Sequence, residues 1–354
     1  MTKLKEHKPS KMEALKAMTP GDRKRAIIDA IMNNAMFIII GLVIIYVTIK
    51  EPSFLSAPSI INIINLTAAK LPIALGVGGC IILAGTDISA GRQVGLAACI
   101  SAGLQLTNNK LFPGLGIMPI PVVLLCVLAA GAIVGLVNGF FMAKFKLHPF
   151  IVTLSTQLIV YGLVLLFMQL GTNGGQTLSG MSQTYRDFII KPLFSIQGVS
   201  VPRYVLYSAI ITFIVWVIWN KTAFGKNMYA VGSNEEAANV SGVNVMKTII
   251  LVFVMAGMLY GITGFMDAAR ISSVNATTGL NYESDAIAAC VIGGISFVGG
   301  IGKISGAIIG VLLLQIIFVG LNYLSVDANY LYIVKGLIIL IACSIDMRKY
   351  LVRK

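Results

Sequence analysis

Charge is what this chain has least of. Asp, Glu, Lys and Arg make up 12% of its 354 residues, against about 25% in ordinary soluble domains, while 57% are hydrophobic. So little charge cannot cover the surface of a soluble fold of this length, so lipid is the expected solvent. Histidine is nearly missing: His7 and His148 are the pair, and His148 precedes Pro149 at a helix start. The five cysteines, Cys80, Cys99, Cys126, Cys290 and Cys343, sit inside apolar runs with no metal-ligand spacing, and Asp267-Ala268-Ala269-Arg270 has no second acidic motif. A phosphate-binding loop is also absent, because neither Gly225-Lys226 nor Gly302-Lys303 is followed by Ser or Thr. The chain is therefore not expected to be an enzyme, nor to bind a metal, nucleotide or other cofactor itself.

What the chain has is long apolar runs. Ten of them, roughly 31–49, 60–84, 88–106, 119–143, 150–170, 204–219, 248–266, 285–299, 304–323 and 330–346, approach the length that spans a bilayer core. They predict an all-α polytopic membrane protein of about ten transmembrane helices. Residues 1–30 read as a basic cytoplasmic tail, 31–347 as one transmembrane domain, and 348–354 as a second basic tail. Lys and Arg then fall about three-quarters on the tail side, as the positive-inside rule requires, which puts both termini in the cytoplasm. The basic tail is read as topology plus attraction to anionic membrane lipid, with no nucleic-acid partner. A faint internal repeat, Gly131-Ala132-Ile133-Val134-Gly135 against Gly306-Ala307-Ile308-Ile309-Gly310, is five spans apart and points to a possible inverted repeat.

Two loops are long: an external one, 171–203, and a cytoplasmic one, 220–247. In the latter, Ser233 and Glu236 have capping-box spacing, Glu235 and Glu236 complement the helix dipole, and Gly242 supplies a left-handed stop. A two-turn helix over Asn234–Ser241 follows, offering Ala237, Ala238 and Val240 as a low-relief surface for a groove on another protein. The alternative, a helix lying on the membrane, lacks a Trp, Phe or Leu anchor and a basic face.

The stretch GSNEEAANVSGVNV, Gly232–Val245, resembles the cytoplasmic coupling segment of the ribose and galactose class of ABC-transporter permeases. GTDISAGRQVGLAA (85–98), YESDAIAACVIGGISFVGGIG (282–302) and YIVKGLIIL (332–340) agree, and SAGRQVG is most similar to methyl-galactoside members. The resemblance covers the second span to the C-terminus. It implies the permease subunit of a monosaccharide importer in the bacterial cytoplasmic (inner) membrane, galactose or methyl-galactoside being favoured over ribose, another pentose or a nucleoside. It also implies a second copy of the chain, an ABC ATPase subunit that uses ATP and magnesium, and an extracytoplasmic sugar-binding protein. The coupling residues would be Gly232, Ser233, Asn234, Glu235, Glu236, Ala237, Ala238, Ser241 and Gly242. An ion-gradient-driven secondary transporter is the competing reading.

Charged groups inside spans are expensive and usually face a cavity or a partner. Asp87, Ser89, Arg92, Gln93 and Asp285 are the candidate pathway residues, with helix packing and interfacial solvation as the other accounts. Asp87 and Arg92 have a spacing that permits pairing, and Lys335 is placed to neutralise a carboxylate. Gly76, Gly78 and Gly79 read as close helix packing, and Asn62, Asn65, Thr67 and Asn138 as further hydroxyl and amide groups for a sugar.

Overall fold

A computed structural model describes residues 35–108 and 111–351. The basic tail predicted over residues 1–30 lies outside them. Each of the ten apolar runs contains a helix: α1 (Ala35–Lys50), α2 (Ala57–Ile82), α3 (Ala90–Gln105), α4 (Ile120–Phe145), α5 (Pro149–Met168), α7 (Arg203–Lys221), α10 (Val245–Ile271), α11 (Tyr282–Ile292), α12 (Ile304–Tyr323) and α13 (Ala328–Leu351). Short helices α6 (Gln183–Ile190), α8 (Ala223–Ser233) and α9 (Glu235–Val240) sit between them. Among the described residues six helices, α2, α4, α5, α7, α10 and α12, are long and apolar enough to cross a membrane, with shorter apolar stretches at 41–50 and 329–341.

Ten full spans are therefore not shown among the described residues, and α3 and α11 are two that fall short. With a rise of 1.5 Å per residue, the 16 residues of α3 reach about 24 Å and the 11 of α11 about 16 Å, against a hydrocarbon core of about 30 Å. α11 stops at Ile292 because Gly293 caps it and Gly294 takes a left-handed φ of 83°. α13 continues to Leu351, so residues 348–351 of the predicted tail are helical. α2, by contrast, runs unbroken through Lys70 and Pro72.

α2 and α10 form the centre, each two-thirds buried along its apolar window, whereas α4, α5 and α7 are mostly exposed at their flanks. Small residues make this possible. The ring of Tyr260 lies against Gly76, and Trp219 against Gly79. Gly131 and Gly135 of α4 meet the carbonyls of Gly257 and Phe253 on α10, while Gly306 and Gly310 of α12 meet those of Gly293 and Ala289 in and just beyond α11. The two resembling pentapeptides thus do the same work, seating a span on bare backbone. α10 packs on α2, α3 and α4; α2 packs on α10, α11 and α12.

The region 171–203 is folded, not an open loop. It holds strand β1 (Leu178–Ser179), α6, and a hairpin of β2 (Pro192–Ile196) and β3 (Val199–Pro202). β1 pairs with β4 (Ser273–Val274) beyond α10, and Ser182 donates its backbone N–H to Gln105 O at 2.8 Å. Tyr185 of α6 is fully buried and donates its hydroxyl to Phe265 O. This cap ties the C-terminal ends of α3 and α10 together.

Candidate functional site

Loops 144–148, 221–247 and 299–303 meet at the end of the bundle opposite the cap, and their junction is built largely from backbone. Thr222 caps α8 by accepting from Gly225 N at 3.2 Å, so the chain turns sharply out of α7. Gly232, near the end of α8, then lies against the carbonyl of Ile82 at the end of α2, with Gly300 N beside it. Gly300 N donates to Ile82 O at 2.8 Å, and Gly300 holds φ at 69°, a conformation that a side chain disfavours. Tyr229 donates its hydroxyl to Gly302 O at 3.0 Å. Burial raises its phenol above the usual tyrosine range, which keeps it a donor. The end of α8, the end of α2 and the loop after α11 are therefore held together by hydrogen bonds and close backbone contact.

α9 projects from this junction, and its cap differs from the predicted one. Asn234, in extended conformation, is the N-cap and accepts from Ala237 N at 2.8 Å. Ser233 belongs to α8 and donates its hydroxyl to Tyr229 O at 2.8 Å, so the Ser233–Glu236 capping box does not form. Gly242 does take the expected left-handed conformation, at φ 84°. Ser241 donates its hydroxyl to Ala237 O at 2.8 Å. The exposed face also departs from expectation. Ala238 is 5% exposed and packs with Val231 and Val245, while Val240 is 89% exposed and Glu235, Glu236, Ala237 and Asn239 are open to solvent. Lys146, after α4, forms an ion pair with Glu235. A hollow of about 630 Å³ lies beside α9, lined in part by Lys146, Glu236, Asn239 and Met246.

The predicted pathway residues separate into three places. Asp87, Ser89 and Gln93 form a buried knot with Asn138 of α4. The Asp87 carboxylate accepts from Ser89 N at 3.0 Å and Ser89 Oγ at 2.5 Å, and Ser89 Oγ accepts from Gln93 Nε2 at 2.9 Å and Asn138 Nδ2 at 3.1 Å. Asp87 is 0% exposed, which rules out interfacial solvation in this state. Arg92 does not pair with it; it donates to Ala276 O at 3.1 Å and lies 4.1 Å over the Tyr161 ring. Asp285 is elsewhere, 2.7 Å from Lys335 of α13, and Lys70 lies over the neighbouring Tyr282 ring at 2.7 Å. Of the other polar candidates, Asn65 donates to Ser200 O at 3.1 Å and Thr67 to its own helix at Ile63 O, 2.8 Å, while Asn62 is exposed. Among the described residues no cluster of three or more His, Cys, Asp or Glu is placed to hold a metal.

Sequence reasoning missed Gly300, Tyr229 and Lys146 as parts of the junction. The Gly299-Gly300 doublet was the available signal, since paired glycines after a short helix mark close backbone approach.

A family model described as branched-chain amino acid transport system / permease component matches residues 59–343. The chain is 43% identical to the galactose/methyl galactoside import permease protein of Haemophilus influenzae, over 92% of this chain and 97% of that protein. Its identity to the Escherichia coli K12 protein of the same description is 39%, over 94% and 98%. To the ribose import permease protein of Bacillus subtilis it is 35%, over 93% and 97%. No solved structure matches the chain.

Proposed function

The chain belongs to this family of permease components, and from that premise we propose that it is the membrane-spanning subunit of an ATP-driven importer of galactose or methyl galactoside in the bacterial inner membrane. It is a transport component and not an enzyme. The observation that carries the mechanism is α9, an exposed, capped helix joined through α8 to a buried junction with α2 and the loop after α11. A partner seated on α9 can push on the bundle without losing the motion in a flexible linker. That partner is an ABC ATPase subunit, which uses the ATP and magnesium. A second copy of the chain and an extracytoplasmic sugar-binding protein complete the transporter.

Both termini are assigned to the cytoplasm, which is supported by the bias of Lys and Arg toward the α8–α9 end. An inverted repeat is supported by the packing: exchanging α2 with α10, α3 with α11 and α4 with α12 carries one set of neighbours onto the other. Galactose is favoured over ribose because the ribose permeases are 33–35% identical and the galactose permeases 39–43%.

The test is co-purification with an ABC ATPase and an ATPase assay with candidate sugar-loaded binding proteins. A stable complex stimulated by the galactose-loaded protein is expected. A lone chain that moves sugar down an ion gradient in liposomes would overturn the proposal.

A further inference from the structure

The segment between α10 and α11 runs deep into the bundle. Its start is fixed at the outer end, where β4 pairs with β1. Its far end is fixed by two independent rulers. The backbone of Thr278 and Gly279 lies against Gly95 and Gly91 of α3. Those glycines are ten and fourteen residues, about 15 and 21 Å, from Gln105, which is bonded to the outer cap. Tyr282, the first residue of α11, lies under Lys70, thirteen residues or about 20 Å from the outer end of α2. Half of a 30 Å hydrocarbon core is about 15 Å, so the segment leaves the outer end at Asn275 and reaches the middle of the membrane by Thr278 and Gly279.

Irregular backbone at that depth is tolerated only where protein buries it or water reaches it. Asn275 and Thr277 are exposed, and both are polar. Asn275 Oδ1 accepts from Thr277 N at 2.9 Å and Thr277 Oγ1 at 2.8 Å, which fixes the turn and leaves the Asn275 amide donors directed elsewhere. Arg92 donates to Ala276 O, and the nearby Glu283 carboxyl is buried against Gly91. Asn275 and Thr277 thus present uncharged donors and acceptors beside the exposed apolar Leu280, a lining suited to a neutral polyhydroxyl solute and not to an ion.

We infer that residues 275–281, with Arg92 holding their backbone, line the aqueous route through the outer half of the membrane and contact the hydroxyl groups of the passing sugar. This rests on the importer reading above. Asn275 and Thr277 are the contacting residues, and Arg92 is a positioning residue.

The experiment uses single cysteines in a chain whose five native cysteines have been replaced, assembled with its ATPase in membranes. Thr277→Cys and Asn275→Cys are compared with Leu158→Cys, a mid-span position that is 66% exposed on the outside of the bundle. A charged, water-soluble methanethiosulfonate reagent is expected to modify the first two at least tenfold faster than the third, and to abolish galactose uptake when it does. Asn275→Ala should raise the sugar concentration for half-maximal uptake two- to tenfold with assembly unchanged. Modification no faster than at Leu158→Cys would mean that protein, such as the second copy, covers the segment, and would overturn the inference. So would rapid modification with uptake intact. Recovery of the ATPase in the same preparation separates this failure from that of the importer reading.

Discussion

Val240 offers a clean test of the docking assignment, because its side chain does almost nothing for the chain itself. It is 89% exposed on α9, the only large apolar side chain of that helix, so Val240→Ala should change folding stability by less than about 0.5 kcal/mol. If α9 inserts into a groove on the ATPase, the same change removes two buried carbon groups at about 0.8 kcal/mol each. The loss of about 1.6 kcal/mol corresponds to a dissociation constant roughly fifteenfold weaker. Val240→Asp should cost more, since it would bury an unpaired charge. The assay is titration of the purified ATPase onto permease in nanodiscs, with thermal unfolding of the permease measured alongside. Unchanged affinity in both variants would refute the reasoning, as would a drop in affinity matched by an equal drop in stability. Ala238, which the sequence offered as part of the same surface, should behave in the opposite way. It is 5% exposed against Val231 and Val245, so Ala238→Trp would disrupt the permease before any partner arrived.

Gly232→Val should leave the ATPase bound but cut uptake more than tenfold, because the side chain collides with the Ile82 carbonyl and wedges α8 from α2; co-purification and transport measured on one preparation check this. Lys335 and Asp285, with side chains 21% and 13% exposed, should couple by about 1–2 kcal/mol, below the 3–5 kcal/mol of a fully buried pair. A double-mutant cycle on thermal stability with Lys335→Met and Asp285→Asn measures it, and additivity would deny the coupling. Asp87→Ala strands the donors on Ser89 and should cost about 1–3 kcal/mol in stability, so assembly and uptake should fall together. Loss of uptake alone would instead place Asp87 on the sugar's route.

Much of the fold was legible, and each failure has a physical cause. Hydropathy located every helix among the ten runs, since lipid demands apolar side chains wherever a helix crosses. It misjudged α11 because apolarity reports surroundings and not continuity: residues 293–299 are mostly apolar, with Ile295 and Ser296 buried, yet Gly293 and Gly294 end the helix. The depth of 275–281 is not legible from hydropathy for the complementary reason. Polar residues read as surface, and the pattern cannot say whether the water lies outside the membrane or within it. The cap of α9 was a local contest between Ser233 and Asn234, both competent N-caps. Tertiary contact decided it, since seating Gly232 on Ile82 keeps Ser233 in α8 and leaves Asn234 to open the next helix.

The two irregular elements flank the same short helix. α11 begins at the polar segment 275–281 and ends in the loop whose Gly300 and Gly302 bond to Ile82 and Tyr229. A displacement of α8 imposed from the cytoplasmic end therefore reaches that loop directly, and a helix of 11 residues is a rigid rod of about 16 Å. Its other end is where Asn275 and Thr277 lie. A full-length span in this position would be held by packing along its whole length and would resist such a shift, whereas a half-length helix between two backbone hinges resists at fewer contacts, those with α2, α3, α12 and α13. If α9 docks the ATPase as proposed, the short helix is the element through which a push there would reach the middle of the membrane without unpacking the long spans around it.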